Sequence, residues 1–216
     1  MATCAIAGCP AVVPCDTGVG ACWQPALHSR WQYQLEAALT PSDDCKFPAT
    51  GGIDTDITSA PFTGGGAVGP DVFDIDFLVD PTCAPNNDTD NTGAVTAIHT
   101  NGGKAICYLS AGTDEPFRPD HQQYVDFDNA CSGCLFGKPV GGFQEEHWLD
   151  INDDQGQRTF ILGRVAARLD RCQADGFDAV EFDNGEAYAN DTGLPISEST
   201  QLVFNATLAN MAHARG

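Results

Sequence analysis

Acidic side chains are concentrated at the ends of short segments that have the pattern of β-strands. They fall at three such ends: Asp74 with Asp76, Asp150, and Glu181 with Asp183. Because side chains two residues apart in a strand share a face, Glu181 and Asp183 are expected to point to the same side of theirs. Two carboxyl groups in unlike environments can divide proton donation and nucleophilic or basic attack between them, which is the chemistry that breaks glycosidic bonds.

Each of these carboxylates could have a structural role instead of a catalytic or binding one. An acidic residue after a strand can cap the helix that follows, and both roles stay open for Asp76 and Asp150. For Glu181 and Asp183 the clustering favours a functional role. A carboxylate cluster could also hold Ca²⁺ or Mg²⁺, but EF-hand spacing is absent and no histidine joins the cluster in the sequence. We therefore predict a site without a metal or another cofactor.

Other catalytic motifs give weaker support. The sequence lacks the Gly-x-Ser-x-Gly motif of a nucleophile elbow and the glycine-rich loops of nucleotide-binding folds. Cys131 and Cys134 have the Cys-x-x-Cys spacing of redox centres, but they lie in a predicted loop and not between a strand and a helix. A local disulfide, or pairing of each with another cysteine, is the expectation.

Strands that alternate with helices would bring the acidic strand ends together. The predicted strands cover 31–35, 71–77, 104–110, 147–151 and 177–183. Apolar residues at helical spacing predict helices over 160–172 and 197–214, and the Asn-Gly-Gly that follows Thr100 marks the end of another helix. This alternation predicts a parallel sheet of the α/β class, either doubly wound or part of a (β/α)8 barrel. In such a barrel the functional site lies at the carboxyl ends of the strands.

The charge of the chain narrows the classes of partner. The 216 residues include 30 acidic and 10 basic side chains, which gives a formal net charge of -20. A nucleic-acid partner is excluded because phosphate contacts need lysine and arginine, and an anionic membrane surface is disfavoured for the same reason. The charge could serve solubility alone, or it could attract a cationic partner.

The ten cysteines predict disulfide bonds and an oxidising compartment. Four of them lie in residues 1–30, which we predict to form a Cys-rich N-terminal arm before an α/β domain over 31–216. The sequence has no segment of the roughly 18 apolar residues that span a membrane, and no signal peptide is visible in it. We expect a secreted, extracellular protein that is monomeric.

Several motifs together resemble those of glycoside hydrolase family 114. They are Ile106–Thr113 (ICYLSAGT), Trp148–Ile151 (WLDI), Gly176–Asn184 (GFDAVEFDN) and Ala187–Gly193 (AYANDTG). The motifs occur in the order of the family. The resemblance implies a (β/α)8 TIM-type barrel with endo-α-1,4-polygalactosaminidase activity, directed at galactosamine-containing exopolysaccharides of biofilms and cell walls.

The resemblance also implies roles for individual residues. The catalytic Asp of the family's Glu-x-Asp-Asn motif corresponds to Asp183. The substrate-binding positions correspond to Asp76, Tyr108, Asp150, Glu181 and Asn184. The implied partner is a cationic galactosamine-containing polysaccharide, which a protein with a net charge of -20 would attract.

The sequence departs from the family toward its C-terminal end. The second catalytic acid of the family is a Glu in an Asn-Glu motif on a later strand, and residues 185–216 contain no such motif. With about five of eight barrel strands predicted, we expect an incomplete barrel that lacks its C-terminal part and is inactive alone, whereas the full-length gene product would be active. Two alternatives stay open, a non-catalytic acidic glycan-binding protein and a metal-dependent barrel hydrolase.

Overall fold

The computed structural model describes residues 8–15, 22–35, 48–58, 68–79 and 89–216. The chain forms two compact units. The first comprises Met1–Ala21, Leu109–Asp170 and Phe182–Gly216, and the second comprises Cys22–Tyr108 and Arg171–Glu181.

The secondary-structure elements of the described residues are numbered in chain order. The strands are β1 (Trp31–Gln34), β2 (Val72–Asp76), β3 (Leu78–Val79), β4 (Thr89–Asp90), β5 (Lys104–Ser110), β6 (Thr113–Asp114), β7 (Phe136–Val140), β8 (Phe143–Leu149) and β9 (Ala179–Asp183). The helices are α1 (Thr92–Thr100), α2 (His121–Ala130), α3 (Gln157–Ala174) and α4 (Glu198–His213), with short 3-10 helices at Pro48–Thr50 and Ala187–Ala189.

A sheet with strand order β1-β2-β5-β9 forms the centre of the second unit, and the last residues of β5 and β9 belong to the first unit. β1 and β5 both run parallel to β2, with Tyr33 opposite Asp74 and Asp74 opposite Ile106. The helices α1 and α3 occupy the connections that parallel strands require. The predicted α/β class is confirmed.

The two faces of this sheet differ in chemistry because side chains alternate along each strand. Phe73 and Ile75 of β2, together with Ala105 of β5, are buried in one cluster with the apolar residues of α1. Burial of each large side chain of this kind contributes about 1.5–3 kcal/mol. Asp74 and Asp76 alternate with them on β2 and therefore point to the opposite face.

Glycine fixes both the packing and the end of α1. A Cβ atom at Gly93 would lie 2.2 Å from the carbonyl oxygen of Ala49 in the neighbouring 3-10 helix, so a larger residue does not fit there. The helix ends at Thr100 with Asn101 as its C-cap, and Gly102 follows with a φ of 81° that favours glycine. The predicted helix stop at this Asn-Gly-Gly sequence is confirmed.

An antiparallel sheet with strand order β6-β8-β7 belongs to the first unit. β7 and β8 form a hairpin that turns at Gly141 and Gly142, and Gly142 has a φ of 91°. The sequence predicts a parallel strand over 147–151, whereas β8 is antiparallel to both of its neighbours. A two-residue glycine turn is too short for the crossover that a parallel strand needs, so the chain folds back on itself.

The helices at 160–172 and 197–214 are predicted correctly and correspond to α3 and α4. Ile161 and Leu169 of α3 are buried, as the helical spacing of its apolar residues requires. The sequence analysis did not predict α2, which buries only Tyr124 and therefore lacks an apolar stripe. In the described ranges no helix is long and apolar enough to cross a membrane.

Disulfide bonds join Cys107 to Cys172 and Cys131 to Cys134. The cysteines at positions 9, 15 and 22 are disulfide-bonded as well, and the part of the chain that the structure describes has no free cysteine. The prediction of disulfide bonds is confirmed. For Cys131 and Cys134 the local bond is the alternative that the structure adopts.

Part of the predicted arm over residues 1–30 lies along α4. The backbone N–H of Val13 donates to Oδ1 of Asn210 at 2.7 Å, and Nδ2 of Asn210 donates to the carbonyl oxygen of Ala11 at 2.9 Å. Residues 1–7 and 16–21 of the arm lie outside the described residues. The boundary of the arm at residue 30 stays a prediction.

Candidate active site

Asp183 ends β9, and its carboxylate is held by the residue that follows. The backbone N–H of Asn184 donates to Oδ1 of Asp183 at 2.8 Å, and Nδ2 of Asn184 donates to Oδ2 at 3.3 Å. Asn184 has a φ of 61°, a left-handed conformation that asparagine adopts more readily than most residues. This turn lets one residue bond both carboxylate oxygens, which fixes the direction in which they point.

The side chain of Asn184 is in turn fixed by two hydroxyl groups of the segment after β5. Nδ2 of Asn184 donates to Oγ of Ser110 at 3.0 Å and to Oγ1 of Thr113 at 3.2 Å, and the two hydroxyl oxygens lie 2.6 Å apart. The backbone N–H of Ala111 also donates to the carbonyl oxygen of Asp183 at 3.1 Å. The segment 110–113 is therefore a support for the carboxylate of Asp183.

Gly112 allows this support to come close enough. A Cβ atom at this position would lie 2.0 Å from the carbonyl oxygen and 2.9 Å from the carbonyl carbon of Asn184. Both are backbone atoms, so no side-chain rotation could relieve the contact. The glycine of the Ala-Gly-Thr sequence is thus required by the approach of two backbone segments.

Glu146 on β8 brings a second carboxyl group into the electrostatic surroundings of Asp183. Its pKa is raised to about 7, first by burial and then by the negative charges of Glu115 and Asp183. The charge of Arg118 and a hydrogen bond with Thr113 act in the opposite direction. A carboxyl group with this pKa keeps its proton in mildly acidic solution and can donate it, as a general acid must.

A buried ion pair of Arg118 and Glu115 acts electrostatically on Glu146. Nε and Nη2 of Arg118 donate to the two carboxylate oxygens of Glu115 at 2.7 and 3.1 Å, and both residues are less than 5% exposed. This two-pronged geometry compensates two charges that burial would otherwise penalise severely. The pair therefore keeps a charged carboxylate in a buried position near Glu146.

Arg168 of α3 anchors the end of β5. Its Nε and Nη2 donate to the carboxylate of Asp120 at 2.9 and 2.7 Å, and its Nη1 donates to the carbonyl oxygen of Ser110 at 3.1 Å. Arg168 is 4% exposed, and the ion pair satisfies its buried charge. The position of Ser110, and through it that of Asn184, is thus tied to a helix.

Asp150 follows β8, and its contacts are those of a local turn. Oδ1 of Asp150 accepts hydrogen bonds from the backbone N–H and from Nδ2 of Asn152 at 3.0 and 2.8 Å. These bonds fix the backbone of the segment that leads to α3. They therefore support a structural role for Asp150. A role of Asp150 in substrate binding stays a prediction.

The second unit contains a different carboxyl pair, formed by Asp74 of β2 and Glu181 of β9. The pKa of Asp74 is raised to about 8, first by burial and then by the neighbouring carboxyl group of Glu181, through a side-chain hydrogen bond and its negative charge. Burial and a neighbouring negative charge both favour the neutral form of a carboxyl group, and Asp74 has both.

Asp76 and Tyr108 lie next to each other in the sheet, opposite one another on β2 and β5. Oδ1 of Asp76 accepts the backbone N–H of Leu78 at 2.9 Å. The ring of Tyr108 packs edge-on against Tyr33, with the ring centroids 6.4 Å apart. Tyr33 is 58% exposed, so this aromatic pair presents an accessible ring.

The structure therefore distributes the predicted site residues in four groups. In the first unit, Asp183 and Asn184 lie together and Asp150 lies in its own turn. In the second unit, Glu181 lies next to Asp74, and Asp76 lies opposite Tyr108. Glu146 was missed by the sequence analysis, although the glycine pair before β8 signalled the hairpin that carries it. Among the residues with described positions, no group of three or more histidine, cysteine or acidic side chains could hold a metal ion.

Comparison with known proteins gives a family and a solved structure. A model of glycoside-hydrolase family GH114 matches residues 15–216. The chain is also similar to Ega3 of Aspergillus fumigatus, whose crystal structure is a complex with galactosamine, with a TM-score of 0.63 and 28% identity. This match covers 92% of the chain but 61% of Ega3, so the chain spans about three-fifths of that protein. With the parallel sheet described above, the similarity confirms the predicted α/β fold of an incomplete (β/α)8-type barrel.

Two further comparisons add nothing on function. A GH31 α-xylosidase from Xanthomonas citri is 16% identical, with a TM-score of 0.34 and a match that covers 65% of this chain and 17% of that one. A TM-score this low supports no argument. No curated protein matches the chain.

Proposed function

This chain belongs to glycoside-hydrolase family GH114, and from that premise we propose that it forms part of an enzyme that cleaves α-1,4-linked galactosamine polymers. Galactosamine is the sugar in the Ega3 complex, which supports this class of substrate. A polymer of protonated amino sugars is cationic, and a protein with a net charge of -20 would attract it.

The observation that carries this proposal is the fixed carboxylate of Asp183. Asn184 bonds both of its oxygens, so the carboxylate does not need to reorient when a sugar ring binds. We assign Asp183 as the catalytic carboxylate that attacks the anomeric carbon or activates a water molecule. The other residues proposed to bind the sugar are Asn184, Asp150, Asp76, Tyr108 and Glu181.

A glycosidase also needs a second carboxyl group that protonates the leaving oxygen. In the family that the motifs resemble, this group is a Glu in an Asn-Glu motif, which residues 185–216 do not contain. We therefore propose that residues 1–216 alone do not hydrolyse the polymer, whereas a full-length chain that supplies this Glu does. Glu146 is the alternative acid within these residues, because its pKa of about 7 suits proton donation.

The test measures new reducing ends in deacetylated galactosaminogalactan. In the full-length protein, Asp183→Asn should lower turnover by about 10²- to 10⁴-fold, because the replacement removes the reacting carboxylate but keeps its shape. Asp126→Asn is the matched control, since Asp126 is exposed on α2 and accepts a hydrogen bond from Gln122 of the same helix. Turnover of Asp183→Asn at the wild-type rate would reject the assignment.

Other outcomes separate the alternatives. Activity of residues 1–216 that Glu146→Gln abolishes would give the acid role to Glu146. Binding of the polymer without any new reducing ends, also by the full-length protein, would indicate a glycan-binding protein. Loss of activity on addition of a chelator would indicate a metal-dependent hydrolase.

We further propose that the protein acts outside the cell as a monomer. The disulfides Cys107–Cys172 and Cys131–Cys134 support an oxidising compartment, where such bonds persist. Fractionation of the native host, with the protein found in the medium or in the cell, tests the location.

A further inference from the structure

A buried carboxyl group on β6 is bonded to the first residue of α2. Oδ2 of Asp114 lies 2.8 Å from Nδ1 of His121. The side chain of Asp114 is 2% exposed, whereas that of His121 is 32% exposed. An ionised carboxylate only accepts hydrogen bonds, so the imidazole is the donor. His121 therefore brings a donor from a partly exposed position to a buried acceptor.

Asp114 depends on this donor. Its other oxygen, Oδ1, is buried and has no hydrogen-bond partner among the described residues. Arg168 acts on Asp114 through its charge, but the three donor nitrogens of this arginine bond Asp120 and Ser110 instead. Burial raises the pKa of Asp114, and the charge and hydrogen bond of His121 oppose this rise more than Arg168 does. Removal of the imidazole would therefore leave a buried carboxylate without its donor, which is costly.

β6 is a short strand with little backbone pairing of its own. It contains two residues, Thr113 and Asp114, and pairs with two residues of β8. Because successive side chains of a strand point to opposite faces, Thr113 and Asp114 point away from each other. The contact with His121 is thus a side-chain anchor on one face of β6, and Thr113 lies on the other face.

Thr113 supports both carboxyl groups of the candidate active site. Its Oγ1 accepts a hydrogen bond from Nδ2 of Asn184 at 3.2 Å, and its side chain is also hydrogen-bonded to Glu146. Asn184 in turn donates to both oxygens of Asp183. A shift of β6 would therefore move the groups that orient Asp183 and Glu146 at the same time.

We propose that His121 is a positioning residue of the active site, which holds β6 through Asp114 and so keeps Thr113 in place. The inference rests on the proposed function, because the reaction is taken from there. The bond between His121 and Asp114 lies on the face of β6 opposite to Thr113, so its effect on the reacting carboxylate is indirect. Loss of this bond should therefore lower turnover and leave substrate binding nearly unchanged.

The experiment compares two amides at position 121. The amide nitrogen of asparagine takes the place of Nδ1 of histidine, whereas that of glutamine extends to the place of Nε2. His121→Asn therefore keeps the donor to Asp114 and His121→Gln does not, although both side chains are polar and uncharged. In a full-length chain, kcat and KM are measured from the new reducing ends in deacetylated galactosaminogalactan.

The two amides should differ in kcat. His121→Gln, like His121→Ala, should lower kcat by about 10- to 100-fold, because a displacement of about 1 Å near the reacting group has an effect of this size. KM should change by less than about twofold, since the lost bond does not contact the substrate. His121→Asn should keep kcat within about threefold of wild type, because it retains the hydrogen bond to Asp114.

His99 on α1 provides the matched control. Its Nε2 lies 2.8 Å from Oδ2 of Asp178, and its side chain is 38% exposed, so this pair resembles the one on β6 in distance and exposure. Asp178 also accepts hydrogen bonds from Nζ of Lys104 and from the backbone N–H of Ala105. His99→Ala therefore leaves Asp178 with two donors and should not change kcat.

The outcomes separate this inference from the proposed function. Equal kcat of His121→Asn and His121→Gln overturns the inference, and so does a loss of kcat in His99→Ala as large as that in His121→Ala. A raised KM with unchanged kcat also overturns it, because that result would place His121 in substrate binding. All three results leave the proposed function standing, since wild type still cleaves the polymer. If His121→Ala does not fold, the comparison of the two amides decides. Absence of new reducing ends with wild type overturns the proposed function, and this inference with it.

Discussion

Replacing Gly112 by alanine should disrupt the backbone support of Asp183. The new Cβ would lie 2.0 Å from the carbonyl oxygen of Asn184 and 3.2 Å from its Cβ. An unstrained contact between carbon and oxygen needs more than 3 Å, so the two backbone segments must separate by roughly 1 Å.

This separation has two consequences for stability. Overpacking of a tight contact destabilises by about 1–3 kcal/mol, and the bonds from Ala111 to Asp183 and from Asn184 to the two hydroxyls weaken, each worth about 1 kcal/mol. We expect Gly112→Ala to lower the free energy of unfolding by about 2–4 kcal/mol. In the full-length protein, a displacement of about 1 Å near the reacting carboxylate should lower turnover by about 100-fold.

The assay is urea unfolding of residues 1–216, together with reducing-end release by the full-length protein. Gly141→Ala is the matched control, because a Cβ there meets no atom within 4 Å. Its effects on unfolding and on turnover should be small. If Gly112→Ala matches Gly141→Ala in both measurements, the close approach of the two segments is not required and the reasoning fails.

Three further perturbations test other parts of the structure. The pKa of Glu146 in the folded state is raised to about 7, so its contribution to the free energy of unfolding is present at low pH and is lost as the pH rises from about 4.5 through 7. Glu146→Gln should therefore have a higher urea midpoint of unfolding than wild type at pH 8 and no higher midpoint at pH 4. Arg118→Met leaves Glu115 buried without its partner and should destabilise by about 3–5 kcal/mol, whereas the double variant with Glu115→Met should recover most of this loss. Replacing Cys107 and Cys172 by alanine opens a loop of 65 residues and should lower the free energy of unfolding by about 4 kcal/mol, and an unchanged midpoint would contradict the chain-entropy account.

The fold could be predicted where one face of an element is apolar. Ile161, Val165 and Leu169 repeat at helical spacing, and the structure buries all three in α3. Phe73 and Ile75 alternate with acidic residues along β2, and this two-residue period predicts a β-strand with one apolar face. α2 escaped prediction because its ten residues bury only Tyr124, and its position depends on contacts that periodicity does not record.

The sequence contains a turn signal for the hairpin of β7 and β8 that the prediction of the strands did not take into account. Gly141 and Gly142 lie between two extended segments, which is a strong local sign of a two-residue turn. The apolar end of β8 around Trp148 instead suggested a buried parallel strand. The first half of β8 is exposed, which a central parallel strand would not be.

The candidate site was predictable in its sequence-local part only. Asp183 and Asn184 are neighbours in one motif, and the bonds between them follow from adjacency. The pKa of Glu146 depends on Glu115 and Asp183, which are 31 and 37 residues away and become its neighbours only in the fold. The same applies to Asp74, whose contact with Glu181 on β9 no spacing rule contains.

The left-handed backbone of Asn184 limits what evolution or a protein engineer can place there. Glycine would accept a φ of 61° but has no side-chain donor, and aspartate accepts the same backbone but would offer acceptors to the hydroxyl pair and to Asp183. Glutamine and serine carry donors but are strained in this conformation. Few residues other than asparagine can therefore occupy the turn after β9, because the position requires a left-handed backbone and a side-chain N–H donor at the same time.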